Sequence, residues 1–215
     1  MQGPGRTSAR NALWLVLPVS GIAKGKSRLA PVLSPLDRSR LNRQLVQHGV
    51  SVAVDALGMA ARCIVVSPCA RSLRIARAAG AIALAETRPA RGLNAAVRQA
   101  VSHAMRQGAR RVLILHSDLP RMSAPLLGRL LRIARPGTRS AVVPDRERVG
   151  TNALLCVARP GLVFHFGPDS YSKHCDSARK FGSDPRVFEA AALAQDLDTP
   201  EDFAQWLAAG RGWGR

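Results

Sequence analysis

The chain has few aromatic residues, no paired cysteine motif and no long apolar run, and each lack removes a class of function. Aromatics make up 4% of the 215 residues, with a single tyrosine, so platforms for stacking single-stranded bases are scarce. The four cysteines (Cys63, Cys69, Cys156 and Cys175) show no C-x-x-C pair and no zinc-like spacing with histidine. In a chain of this size that pattern fits reduced cytosolic thiols rather than a disulfide framework or a thiolate-held metal. No apolar run approaches the roughly 18 residues that cross a bilayer. Arg6 and Arg10 precede Leu13–Leu17 as in a signal peptide, but Pro18 interrupts the run after about five to seven residues. We read it as a first strand behind a disordered basic tail over residues 1–11. Neither a P-loop with G-x-x-x-x-G-K-[ST] spacing nor a serine nucleophile between elbow glycines is present. Chemistry that needs no enzyme nucleophile, such as transfer of a nucleotidyl group onto a phosphate, is therefore favoured.

What the chain does have is positive charge: 32 Lys and Arg against 14 Asp and Glu, a formal net of +18. Three readings compete. A nucleic-acid-binding module would use such charge to displace counterions from phosphates. The arginines are instead spread over the whole length, many beside alanines, which also fits a compositional bias. A small polyanionic substrate is the third reading, and it needs only a few of the charges.

Apolar, strand-like runs alternate with amphipathic segments. Strands are expected at Leu13–Val19, Cys63–Val66, Ala81–Ala85, the run leading to Asp118, Ser140–Pro144 and Asn152–Val157. Helices are expected at Ser34–Leu57, Ser72–Ala79, Gly92–Gln107 and Ser123–Arg135, with Thr199-Pro200-Glu201-Asp202 opening a last one. Ser34-Pro35 supplies an N-cap followed by proline in the first turn, and Gly108 stops the third helix. Repeated β-then-α units imply a mostly parallel sheet covered on both faces, a three-layer α/β domain over residues 12–209 with a tail at 210–215.

Several segments can carry chemistry. The run Val112–Leu115 ends in His116-Ser117-Asp118-Leu119-Pro120, which places a carboxylate at the carboxyl end of a buried strand, where α/β sheets bind ligands. The loop Gly21-Ile22-Ala23-Lys24-Gly25-Lys26-Ser27-Arg28-Leu29 follows the first strand, and glycines with cations there suit a phosphate. Asp198, within Asp196–Asp202, is a candidate partner for Asp118. Two carboxylates from distant strands converging on one crevice would hold Mg²⁺, a hard cation that prefers oxygen ligands. The alternative is that Asp198 or Thr199 only caps the following helix. Finally, Gly150-Thr151-Asn152 and Phe166-Gly167-Pro168-Asp169-Ser170 read as an anion site of backbone and hydroxyl donors at a helix start. His174 nearby reads either as a satisfied helix residue or as a catalyst.

With these residues assembled, the chain resembles the guanylyltransferase family of deazaflavin coenzyme F-420 biosynthesis, the phospholactate or phosphoenolpyruvate guanylyltransferases. The resemblance runs from about Leu13 to Leu207. It rests on five segments in order: Lys26-Ser27-Arg28-Leu29, Gly92-Leu93-Asn94-Ala95-Ala96, Ser117-Asp118-Leu119-Pro120, Gly150-Thr151-Asn152-Ala153-Leu154, and Phe166-Gly167-x-x-Ser170 with Asp198-Thr199-Pro200-Glu201-Asp202. It implies a Rossmann-like, glycosyltransferase-A-like nucleotidyltransferase fold. By resemblance, Asp118 and Asp198 match magnesium ligands, and Thr151, Gly167 and Ser170 match the positions that hold a phosphorylated three-carbon acid. Lys26 and Arg28 would contact the triphosphate of GTP, and Gly92 with Asn94 would lie near the guanine or ribose. Many relatives carry a lysine where this chain has Ser20, and Lys24 is the residue that would restore that charge. The acceptor implied is 3-phosphoglycerate, phosphoenolpyruvate or 2-phospholactate. A cytoplasmic enzyme, a homodimer and delivery of the product to the next F-420 transferase are the further expectations. Other nucleotidyltransferases of this fold, acting on molybdopterin or sugar nucleotides, remain the enzymatic alternative.

Overall fold

A computed structural model describes residues 12–22, 25–133 and 140–210. The expected tail at 1–11, residues 211–215 of the expected tail at 210–215, and Lys24 lie outside the described residues. Seven strands form one sheet: β1 (Leu13–Pro18), β2 (Cys63–Ser67), β3 (Ile82–Ala85), β4 (Arg111–Leu115), β5 (Ser140–Pro144), β6 (Thr151–Val157) and β7 (Arg186–Val187). Their order is β3-β2-β1-β4-β6-β5-β7. All pairings are parallel except those of β6, which runs antiparallel to both β4 and β5. The chain leaves β1 towards β2 and β3, then returns to place β4 on the other flank of β1. That reversal opens a crevice beyond the carboxyl ends of β1 and β4, where ligands of open α/β sheets bind.

Helices α1 (Pro35–Leu57), α2 (Ala70–Ala78), α3 (Gly92–Arg106), α4 (Ala124–Ile133), α5 (Ser170–Lys180), α6 (Ala191–Ala194) and α7 (Pro200–Ala208) complete the element order. Strand alternation sorts the core into two layers. Leu15, Leu17, Leu113 and Leu115 pack with Val46, Val50 and Ala53 of α1 and Leu127 and Leu130 of α4. Trp14, Val16, Val112 and Ile114 face the other way, against Val97, Ala100 and Val101 of α3. This is the expected three-layer, mostly parallel α/β architecture. Boundaries differ from the sequence expectation by one to three residues. The largest shift that touches function is at β4, which ends at Leu115 and leaves Asp118 in the following loop.

A third, smaller cluster positions the site. Leu29, Leu41, Leu45, Leu197 and Phe203 bury one another, so a 3₁₀ turn at Ser27–Leu29, α1, the 196–198 segment and α7 are drawn to one point. The caps around it agree with the sequence. The Ser34 hydroxyl accepts from the Asp37 N–H, and Gly58 closes α1 in the left-handed region at φ 65°. Thr199 and Asp202 form a reciprocal capping box at the start of α7.

Candidate active site

Lys26 stands immediately before the 3₁₀ turn and takes a left-handed conformation, φ 61° and ψ 39°. For a residue with a Cβ this costs about 1–2 kcal/mol, so its surroundings must hold it there. They do: its Nζ donates to Asp118 Oδ2 at 2.8 Å and to Asp198 Oδ1 at 2.7 Å. The lysine side chain is buried, while the two aspartates keep about a third of their surface open. Burial alone would lower the Lys26 ammonium, but Asp118 and Asp198 outweigh it and raise its pKa above the ordinary lysine value. For Asp118, burial pulls upward, and Lys26 with His116 brings the carboxyl below its usual range.

The loop that carries Lys26 is shaped by close backbone contacts. Gly25 N–H donates to the Gly21 carbonyl at 3.2 Å, and Asn42 Nδ2, from α1, donates to the Ile22 carbonyl at 3.0 Å. A Cβ on Gly25 would come within 2.8 Å of that Asn42 nitrogen, so only glycine fits. On the opposite side, Leu197 N–H donates to the Asp118 carbonyl at 3.2 Å and ties the 196–198 segment to the loop after β4. Leu197 is fully buried, so alternation along this extended segment turns Asp196 and Asp198 the same way. Capping is carried out by Thr199 and Asp202, which leaves the Asp198 carboxylate to the site.

Asp196 is the residue that the sequence reading missed. It joins Asp118 and Asp198 in a cluster whose oxygens lie within 4.8 Å of one another. Burial, then Asp118 and Asp198, push its carboxyl up to about 6. Three carboxylates face one ammonium here, an excess of negative charge on an all-oxygen donor set. That set fits a hard divalent cation.

A cleft of about 340 Å³ runs from Asp118 across the strand ends, lined by Pro18–Gly21, Pro68, Glu86, Gly92, Leu93 and His116 among others. A second space of about 260 Å³ lies by Lys26 and Asn42, and the two share Val19–Gly21, Ser117 and Asp118. Gly92 opens α3 at φ 73°, a glycine conformation, on the cleft wall. Asn94 directs its carboxamide elsewhere. Its Oδ1 accepts from the Phe166 N–H and its Nδ2 donates to the Phe166 carbonyl, both at 2.9 Å. Arg28 lies exposed on the 3₁₀ turn.

The Asn94 clamp holds the loop that contains Gly167 (φ 121°), whose carbonyl accepts from the Ser170 N–H at 3.1 Å. The Phe166 ring lies 5.3 Å from the His116 ring and 4.8 Å from that of His174, centroid to centroid. His174 is buried and spoken for. Its Nε2 accepts from the His165 N–H at 3.1 Å, so its Nδ1 carries the proton donated to Thr151 Oγ1 at 3.0 Å. Burial, with His165 and His116 nearby, brings its pKa down to about 4. Thr151, Gly167 and Ser170 thus gather around the start of α5, and Phe166 and His116 link them to the Asp118 loop.

The family "Guanylyl transferase CofC like" matches residues 13–213. The chain belongs to this guanylyl transferase family. It is 37% identical over 199 residues to a phosphoenolpyruvate guanylyltransferase of Rubrobacter xylanophilus, covering 93% of this chain and 95% of the relative. It is 37% identical to a 3-phospho-D-glycerate guanylyltransferase of Phenylobacterium zucineum, covering 88% and 87%. Among solved structures, a nucleotide-diphospho-sugar transferase from Desulfovibrio desulfuricans, titled as a candidate, superposes with a TM-score of 0.69 at 17% identity, covering 94% of this chain and 89% of that one. A nucleotidyl transferase from Methanothermobacter superposes at 0.63 with 18% identity, covering 93% and 99%. At those identities the structural likeness speaks for the fold alone. Within the CofC-like frame, Lys26, Asp118 and Asp198 come together at one end of the cleft, with Gly92 on its wall. Thr151, Gly167 and Ser170 form a second group behind His116. Asp196 had a legible signal, two acids flanking one apolar residue, which in extended chain places both on one face.

Proposed function

We propose that the protein transfers guanylate from GTP to a phosphorylated three-carbon acid. A phosphate oxygen of the acid attacks the α-phosphorus, the P–O bond to the β-phosphate breaks, and pyrophosphate leaves. The observation that carries this reading is the Lys26 ammonium held between Asp118 and Asp198 at the crevice between β1 and β4, in a chain of the guanylyl transferase family. Lys26 and Arg28 supply positive charge for the triphosphate and for the leaving pyrophosphate. Asp118, Asp196 and Asp198 are the residues that would hold Mg²⁺. When bound, the ion would offset charge on the phosphate oxygens in the in-line displacement. Thr151, Gly167 and Ser170 would hold the acid, with hydroxyl and backbone donors matched to phosphate and carboxylate. A phosphate monoester is largely dianionic near neutral pH, so the attacking oxygen needs no general base.

Relatives carry the names of phosphoenolpyruvate and 3-phospho-D-glycerate enzymes, so these two acids and 2-phospholactate are the acceptors to compare. The same proposal takes residues 12–209 as the working domain, a homodimer as the assembly and the cytoplasm as the setting. The guanosine diphosphate-linked acid would pass to the next transferase of F-420 assembly. Incubation with GTP, Mg²⁺ and each acid in turn, following pyrophosphate, tests it. One acid should give release, and Asp118→Asn should remove at least about 10²-fold of the rate while the protein, at some cost in melting temperature, stays folded at the assay temperature. Silence with all three acids, or full activity in the variant, rejects the proposal.

A further inference from the structure

The guanylyl transfer above requires that GTP be told from other nucleotides, and nothing described so far does it. The cleft contains one charged side chain without a partner. Glu86 follows β3 directly, its backbone N–H donates to the Ser67 carbonyl at 3.1 Å, and the half-buried residue lines the cleft. Among the described residues no hydrogen bond or ion pair reaches its carboxylate, although Lys and Arg outnumber acids by more than two to one in this chain. Burial raises its pKa, a sign that its surroundings do not pay for its charge.

Its position narrows what it can meet. Asp118, and Lys26 with it, mark the phosphate end of the cleft. Glu86 stands beyond β3, three inter-strand spacings from β4, or roughly 14 Å across the strand ends. A bare carboxylate beside a triphosphate would repel it; at that distance it meets the other end of the nucleotide. Pro68, Pro89 and Leu93 give the intervening wall apolar surface suited to a planar ring. Among the common bases, guanine alone presents two adjacent N–H donors, N1–H and the N2 amino group, on the edge opposite its sugar. A carboxylate accepts both in a bidentate pair.

We propose that Glu86 is the residue that selects guanine, its carboxylate accepting from N1–H and N2–H at the β3 end of the cleft. This rests on the GTP-dependent reading above, and binding can be measured without the chemistry. A ribose-labelled fluorescent GTP analogue is bound to the full chain with Mg²⁺ and displaced by GTP, by inosine triphosphate, which lacks the N2 amino group, and by 2′-deoxy-GTP. The wild-type protein should prefer GTP to inosine triphosphate by about 10–100-fold. In Glu86→Gln and Glu86→Ala that preference should collapse towards unity, while binding of inosine triphosphate weakens less. Because the side chain has no internal partner, both variants should melt like the wild type. An unchanged preference in both variants, or no preference in the wild type, overturns the proposal. So does a loss confined to the comparison of GTP with its 2′-deoxy form, which would move Glu86 to the ribose. If the wild type prefers GTP but releases no pyrophosphate with any acid, guanylyl transfer falls and the role of Glu86 stands.

Discussion

His174 shows how one side chain couples the fold to the Thr151 side of the site, where we propose that the acid binds. It is a buried neutral imidazole that spends both nitrogens, one on the His165 N–H and one on the Thr151 hydroxyl. Burial, and then the neighbouring His165 and His116, hold its pKa down at about 4, below the ordinary value near 6.5. The unfolded chain therefore binds this proton more readily than the folded one between those two values. The contribution is fully present above about pH 6.5 and is lost as pH falls through 4, a total on the order of 3 kcal/mol. The unfolding free energy should drop on acidification across that window, and His174→Gln should flatten the slope at a lower overall stability. If the variant keeps the wild-type slope in a pH series of denaturant melts, the proton is taken up elsewhere.

At the level of elements, α1 supports the loop after β4 from behind. A Cβ on Gly49 would lie 3.1 Å from the Ser117 carbonyl oxygen and 3.4 Å from its Cα, a backbone obstacle rather than a flexible side chain. Ser117 precedes Asp118, so Gly49→Ala should push the carboxylate away from Lys26. We expect a loss of about 1–3 kcal/mol in stability, from overpacking in a tight layer. We also expect a fall in kcat beyond what the melting change explains, measured well below the melting temperature. Unaltered stability and turnover would mean that α1 gives way instead. What was legible in the sequence follows from the same contrast between local and non-local causes. β1, β2 and β4 announce themselves as short apolar runs because both faces of the sheet are covered, and the caps at Ser34 and Thr199 are local chemistry. The antiparallel direction of β6 is not legible, since a strand buried on both sides reads the same either way. β7 is two exposed residues whose pairing with β5 leaves no pattern. The pairing of Lys26 with Asp118 and Asp198 spans 92 and 172 residues and is set by Leu29 and Leu197 meeting in a small core. No local rule reports it. The five family segments pointed to the region, and the third carboxylate, Asp196, stood in the sequence as one acid of the Asp196-Leu197-Asp198 pattern, while its approach to Asp118 is set by the fold.

For the molecule as a whole, the question is what +18 does. The basic side chains do not gather. α2 carries Arg71, Arg74 and Arg77, α3 carries Arg98 and Arg106, α4 carries Arg129 and Arg132, and α5 carries Arg179 and Lys180. These helices lie on both faces of the sheet, so among the described residues the helical arginines form no single stripe along a duplex, and the aromatic platforms that single strands need are few. A dispersed charge still produces a long-range positive field around a small anion such as GTP, and salt screens it over about 10 Å at 0.1 M. Three acids, Asp118, Asp196 and Asp198, meet at the crevice, and Lys26 offsets only part of their charge. On the proposed function, we expect attraction from the periphery to bring the nucleotide in and the local site to orient it. Raising ionic strength from about 0.05 to 0.5 M at constant Mg²⁺ should lower kcat/KM for GTP several-fold and leave kcat nearly unchanged, because the field acts on approach rather than on the bound complex. Duplex DNA at 0.15 M salt should compete weakly. If kcat/KM ignores salt, the charge is compositional bias with no part in capture. Strong, steeply salt-dependent inhibition by DNA would instead assign the basic surface to nucleic acid.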